Sequence, residues 1–285
     1  MIRILSLKKN VLIITLLFLA QTVFGWTVQS SFDGVEEHVN LFANKLSDDI
    51  SFSPPNSAKF FIRQGEENTG QQQYELPTSL NEGDELWIRV YLYPSSGFDW
   101  SANPITKLLR VIVANSDGSM ISYHSILATA PTNYGCGTSS TYGYMVTGSE
   151  MNSRNLCQNR NTDTEIYLTS GEWHCIELYL KVSSTNGMMR AWHNGILKQE
   201  YPDPTIPPGG YFPKQRTTDW GVHHLLGWWN GGSQQDQNIY FDDMVYTNDR
   251  PTARDGEGNY MIGPKDWGDE VELPHPPKEF SNTAQ

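Results

Sequence analysis

The chain has 285 residues, long for an average domain but ordinary for one large β-sandwich. With 20 Lys and Arg against 32 Asp and Glu, its net charge is −12. A field of that sign excludes tracking of nucleic acid by general attraction, so a polyanionic partner has to be met by a local cluster of cations.

Residues 1–25 read as a secretory signal. Arg3, Lys8 and Lys9 form a positive start, Val11 to Ala20 an apolar run, and Val23-Phe24-Gly25 a peptidase-sized end. The run is short for a bilayer span and no stop-transfer pattern follows, with a retained anchor as the alternative. The expected location is therefore secreted or periplasmic, with no membrane attachment after cleavage. Cleavage leaves 17 cations against 32 acids, a net charge of −15. Of the three cysteines, Cys136 and Cys157 lie in a Gly/Ser/Asn-rich stretch that a disulfide between them would staple. Cys175 sits inside a strand pattern and is expected to remain a thiol; no spacing resembles a zinc site.

From there the chain is a series of short alternating segments parted by Gly, Asn, Asp, Ser and Pro, with no sustained helical period. Glu85–Tyr93 is the clearest. Leu86, Ile88, Val90 and Leu92 take one face; Trp87, Arg89, Tyr91 and Tyr93 take the other. Leu108–Ala114 follows, with Leu109, Val111 and Val113 opposite Arg110, and the turn at residues 115–118 leads to Ser119–Leu127. Trp173–Val182 sets Ile176, Leu178 and Leu180 against Trp173, Glu177 and Tyr179. Met188–His193 ends at an Asn194-Gly195 hairpin turn. Val222–Asn230 and Gln237–Thr247 complete the set. Segments 131–165 and 202–220 read as long loops, and 264–285 as a poorly ordered, Pro-rich tail. The expected architecture is all-β: one antiparallel two-sheet sandwich over residues 26–263, acting as a monomer.

The polar face of the first strong strand carries the functional argument. Rings of Trp87 and Tyr91 suit the apolar faces of pyranoses, and Arg89 offers a planar fork to a carboxylate or sulfate. The plainer reading has these rings covering a sheet, with Arg89 ion-paired. Phe98-Asp99-Trp100 is followed by Lys107 and Arg110, and a later strand adds Arg190 and Trp192. Gathered in one groove of a negative protein, these would focus anions; dispersed, they would be a surface salt-bridge network.

Three stretches resemble polysaccharide lyase family 14. Leu86–Arg110 looks like that family's strand running through "F-D-W" to a lysine. Trp173–Gly195 is similar to its "W-H … N-G … W-x-D-G" hairpin, and Gly227–Thr247 to its final "GG … Y-F-D-D-F" strand. The last two also recur among concanavalin A-like lectins and glucanases. The resemblance implies a concanavalin A-like β-jelly-roll sandwich of two antiparallel sheets, and β-elimination on an acidic, uronate-containing polysaccharide such as alginate. That reaction needs a donor to neutralise the uronate carboxylate, a base for the C5 proton and an acid for the leaving oxygen. The resemblance gives Lys107 and Arg110 the first task and Tyr123 the acid or base role, while the polar strand faces supply Trp87, Arg89, Tyr91, Arg190 and Trp192 to bind substrate. No cofactor is required for catalysis. Two departures stand out. The family's "K-L-P-G-L" reads Lys107-Leu108-Leu109-Arg110-Val111, and its Tyr-x-Tyr pair reads Tyr123-His124-Ser125, where His124 is either a proton carrier or a packed strand residue.

A non-catalytic, lectin-like glycan-binding module is the alternative. A glycosidase is disfavoured because no E-x-D-x-E triplet occurs and Glu177 is the one acid well inside a strand's polar face. Alternation sets Asp243 with Ile239, Phe241 and Val245 on the apolar side. There it is either a ligand of a structural Ca²⁺, as the related jelly rolls imply, or a carboxylate hydrogen-bonded to the protein. His223 and His224 are adjacent and face opposite sides of a strand, which does not suit a shared metal.

Overall fold

The computed structural model describes residues 25–33, 46–67, 72–81, 83–100, 106–114, 120–129, 143–149, 167–183, 186–201, 220–229 and 231–265. The expected signal segment, Cys136, Cys157 and nearly all of the expected tail lie outside them. Among the described residues every regular element is a strand. The strands are β1 (Thr27–Ser30), β2 (Leu46–Ser47), β3 (Ser57–Ile62), β4 (Gln72–Leu80), β5 (Glu85–Pro94), β6 (Thr106–Ala114), β7 (Met120–Thr129), β8 (Gly143–Ser149), β9 (Tyr167–Leu168), β10 (His174–Lys181), β11 (Met188–His193), β12 (Ile196–Tyr201), β13 (Trp220–Trp229) and β14 (Gln237–Thr247).

They form two antiparallel sheets. One has the order β12-β11-β10-β5-β14-β3-β2, with β1 added to β14; the other runs β4-β13-β6-β7-β8-β9. This is the expected jelly-roll sandwich. One correction concerns residues 131–165, which contain the strand β8 and are not one continuous loop.

The core lies between the sheets. Leu86, Ile88, Val90 and Leu92 of β5, Ile176, Leu178 and Leu180 of β10, and Ile239 and Phe241 of β14 all have no exposed surface. They pack against Leu76 and Leu80 of β4, Leu108, Leu109 and Val111 of β6, and Leu168 of β9. Period-two alternation sends these aliphatic side chains inward, and each fully buried one contributes on the order of 1.5–3 kcal/mol. Phe98 and Trp100 join the same core with ring centroids 4.5 Å apart. Gln237 pins the segment between them: its Oε1 accepts from Asp99 N at 2.7 Å and its Nε2 donates to Asp99 O at 3.2 Å. The "F-D-W" motif is thus a packing element.

The outer face of the eight-stranded sheet is covered by the chain itself. Residues 250–265 cross it as a strap. Asp255 organises the strap's turn, where its Oδ1 accepts from Glu257 N and Asn259 N, both at 2.9 Å. Met261 enters a second apolar cluster with Trp87, Tyr179 and Trp192. Pro264 and Lys265, the first two residues of the expected tail, are part of this packing. Lys265 N donates to Tyr91 Oη at 2.7 Å.

Candidate functional site

The two outer faces of the sandwich differ in what they can do. On the eight-stranded sheet, Trp87, Arg89 and Tyr91 stand in a row on β5, beside Tyr179, Glu177 and Cys175 of β10. Trp87 is 1% exposed, Tyr91 has no exposed surface and Arg89 is 6% exposed. Trp87 Nε1 donates to Tyr260 O at 3.1 Å, and Arg89 Nη1 donates to Gly263 O at 2.8 Å. The Tyr91 ring stacks on Phe52, centroids 3.7 Å apart. Trp192 is fully buried, its Nε1 donating to Asp255 Oδ2 at 2.8 Å. Arg190 pairs with Glu200 at 3.1 Å and lies 5.4 Å above the Tyr179 ring.

Trp87, Arg89, Tyr91 and Trp192 of the expected substrate-binding set are therefore covered by the strap, Arg190 is held by Glu200, and the five do not form one open platform. Nor does Arg89 join Lys107 and Arg110, which belong to the other sheet. Alternation separated the two faces of β5 correctly; it carries no information on whether the chain later folds back over the polar one.

Glu177, 1% exposed, holds the strap from below. Its Oε1 accepts from Ile262 N at 2.6 Å and its Oε2 from Gly263 N at 3.0 Å. Burial pushes this carboxyl up to about 7, against the opposing pull of those two N–H groups and of Arg89. Beside it Cys175 is a buried thiol, also pushed up, to about 12, chiefly by burial. A thiol that does not ionise is a poor nucleophile. Native protein is expected to leave Cys175 unmodified by a disulfide reagent that titrates it fully in denaturant; rapid native labelling would contradict this burial.

Asp243 departs from its expected place. The β14–β5 ladder shifts register between Asp242 and Val245, so Met244 and Tyr246 take over the inward positions. Asp243, at φ 44°, sits on this bulge. Its Oδ2 accepts from Ser53 Oγ at 2.5 Å and pairs with Lys265 Nζ at 2.6 Å. The neighbouring Asp242 accepts from Phe52 N, Ser53 N and Asp243 N, at 2.7, 3.0 and 2.7 Å. An ammonium already stands where a calcium would neutralise Asp243, and Asp242 beside it is engaged by three backbone N–H groups, whereas Ca²⁺ takes about six to eight oxygen ligands. No group of three His, Cys, Asp or Glu with metal-holding geometry occurs among the described residues.

The six-stranded sheet brings Lys107 and Arg110 together. In a regular strand, residues three apart face opposite sides, and Lys107 would share the inward parity of Leu109 and Val111. Here the β6–β7 ladder skips Leu108: Lys107 stands opposite Leu127, Leu109 opposite Ile126 and Arg110 opposite Ser125. Leu108 and Leu109 both enter the core. Leu127, Ser125 and Tyr123 alternate without interruption on β7, so the bulge sets Lys107 and Arg110 on one outward parity. Arg110 is 8% exposed and Lys107 half-buried, and neither is a free surface cation.

For β7 the described part is the backbone, so Tyr123 and His124 are placed by register alone. Tyr123 stands opposite Ile112, two positions from Arg110's partner Ser125 and on the same parity. His124 stands opposite Val111, a core residue, and takes the inward parity. On β13, His224 is Arg110's partner and Trp228 that of Lys107, while His223 pairs with Val111. Sequence reasoning missed His224 and Trp228 because their relation to β6 is set by register across strands more than 100 residues apart.

No protein-family model matches the chain, and no curated protein matches it. Among solved structures the chain is similar to an endo-β-1,4-glucuronan lyase from the fungus Trichoderma reesei, at 11% identity over 79% of this chain and 90% of that one, with a TM-score of 0.43. It is also similar to the alginate lyase vAL-1 from Chlorella virus, at 12% identity, 71% and 88% coverage and a TM-score of 0.46. A marine PL-14 alginate lyase from Aplysia kurodai matches at 12% identity, 70% and 87% coverage and a TM-score of 0.40. The chain is a β-jelly-roll sandwich, and its likeness to these lyases is one of fold.

Proposed function

We propose that this protein is an exported lyase that cleaves a uronate-containing polysaccharide by β-elimination at the outer face of the six-stranded sheet. The observation that supports this reading best is the Leu108 bulge. It puts Lys107 and Arg110 on the parity that Tyr123 occupies on the neighbouring strand. Two cations side by side neutralise a uronate carboxylate and acidify the C5 proton. A tyrosine on the next strand has the chemistry to exchange protons with C5 or the leaving oxygen. His224, across from Arg110 on β13, becomes the histidine to test beside His124. No metal or organic cofactor enters this scheme.

The test is the far-ultraviolet absorbance of the 4,5-unsaturated uronate that elimination creates. Alginate, glucuronan and other uronate polymers are expected to include at least one that yields it. Arg110→Ala and Lys107→Ala are expected to reduce the rate by at least ~10²-fold, the order lost when one charge-stabilising donor is removed. Retained binding on a polymer-containing gel with no absorbance on any substrate would leave a lectin-like module. Undiminished activity in both variants would remove the site from this face.

A further inference from the structure

The rim of the eight-stranded sheet carries a second group of basic side chains. His174 of β10, opposite Leu92, and His193 of β11, opposite Ile176, lie on the inward parity. Their rings are hydrogen-bonded to each other, Nδ1 of His174 to Nε2 of His193 at 3.0 Å, and His174 Nε2 contacts Thr169 O at 3.0 Å. This chain of contacts fixes the tautomers. His174 donates to the Thr169 carbonyl and accepts from His193, which leaves His193 Nδ1 as a lone-pair nitrogen.

The next strand adds Lys198. The β11–β12 ladder runs from Trp192↔Leu197 to Ala191↔Gln199 and skips Lys198, a bulge that re-aims one side chain. The hairpin joining the two strands is rigid. Asn194 and Gly195 adopt φ of 50° and 79°, Asn194 N donates to Cys175 O at 2.8 Å, and Cys175 N donates to Asn194 Oδ1 at 2.9 Å. Lys198 is 7% exposed, yet among the described residues none forms a hydrogen bond or ion pair with it. Its stem is covered while its ammonium keeps contact with solvent at the rim, where a ligand can reach it.

Burial lowers the proton affinity of all three groups. His193 falls to about 3, chiefly by desolvation, with the charges of His174 and Lys198 adding to it. The nearest acid, Glu172, is turned to Thr169 Oγ1 at 2.7 Å and acts on His174 alone. Among the described residues the cluster is short of negative charge, and with an ammonium in it such a cluster repels a metal ion and attracts an anion.

The geometry points to a carboxylate-binding site at the β11–β12 hairpin, in which Lys198 and His193 contact the ligand and His174 positions His193. His193 keeps part of its surface open to solvent, which gives the ligand an entry. A carboxylate there would supply the counter-ion Lys198 lacks and draw a proton onto His193. The site is on the opposite sheet from Lys107 and does not depend on the lyase reading.

The probe is sodium glucuronate, titrated into the purified protein while the imidazole resonances of His193 and the ε-methylene resonances of Lys198 are followed by NMR. Saturable shifts in both are expected, with none from neutral methyl glucoside. Lys198→Met, checked for native folding by circular dichroism, is expected to bind about tenfold more weakly, the equivalent of one modest charge-assisted contact. Lys107→Ala is expected to leave the shifts unchanged, although it removes elimination. Absence of saturation in the unsubstituted protein, unchanged affinity in folded Lys198→Met, or equal shifts with sodium chloride would each overturn the proposal. Sodium sulfate binding as tightly as glucuronate would overturn the assignment to carboxylate.

Discussion

Glu177→Ala is expected to destabilise the protein by about 3–5 kcal/mol, the usual cost of removing one partner from a buried charged network. The substitution strips the acceptors from Ile262 N and Gly263 N and leaves the Arg89 guanidinium without its neighbouring carboxylate. The urea midpoint reads the loss directly, and proteolysis within residues 250–265 should accelerate with it. Unchanged stability would mean that the strap is held by apolar packing alone.

The same residue predicts a pH dependence. Its folded value, about 7, lies above its ordinary 4.5, so the folded protein binds this proton more tightly than the unfolded chain. The stability this contributes is complete below pH 4.5 and declines as pH rises to about 7. Glu177→Gln cannot titrate and keeps one acceptor oxygen. It should fall between the native protein and Glu177→Ala in stability and flatten the profile over that interval. A native profile that rises across the interval would show that the hydrogen bonds and Arg89 outweigh burial.

Trp100→Ala is expected to cost about 3–5 kcal/mol, the range for truncating a large buried aromatic residue. Trp100 is 1% exposed, packs on Phe98 and lies in the core between the sheets. The measurement is again a chemical unfolding midpoint, combined with turnover at saturating polymer well below it. Native-like stability with lost turnover would return the "F-D-W" segment to the substrate site and contradict its place in the core.

Much of the fold was legible because period-two alternation is local. Leu86, Ile88, Val90 and Leu92 declare the buried face of β5 without reference to any other strand, and Ile176, Leu178 and Leu180 do the same for β10. What was not legible came from bulges and from distant chain. The skipped Leu108 reverses the parity of Lys107, the shift after Asp242 turns Asp243 toward Lys265, and the skipped Lys198 is re-aimed at the rim. Each is one extra residue in a ladder, and its neighbours in sequence are chemically unremarkable. The strap was the larger omission. A strand with Trp, Arg, Tyr and Tyr on one face reads equally well as a glycan platform or as a surface the chain itself will cover. Gly263, at φ 79°, supplies the left-handed turn that gives its N–H to Glu177 and its carbonyl to Arg89, but a single glycine in sequence does not announce it.

The strand order has a consequence for assembly. β5 is flanked by β10 and β14, and β1 finds its place only against β14, with Thr27 opposite Thr247. Contact order is high, and the loop closures it demands make folding slow, in milliseconds to seconds or beyond. A nascent chain that stops short of Gln237 has no seat for its first strand. The larger sheet can close only after β14 has left the ribosome, and until then the apolar faces of β5 and β10 need shelter from aggregation.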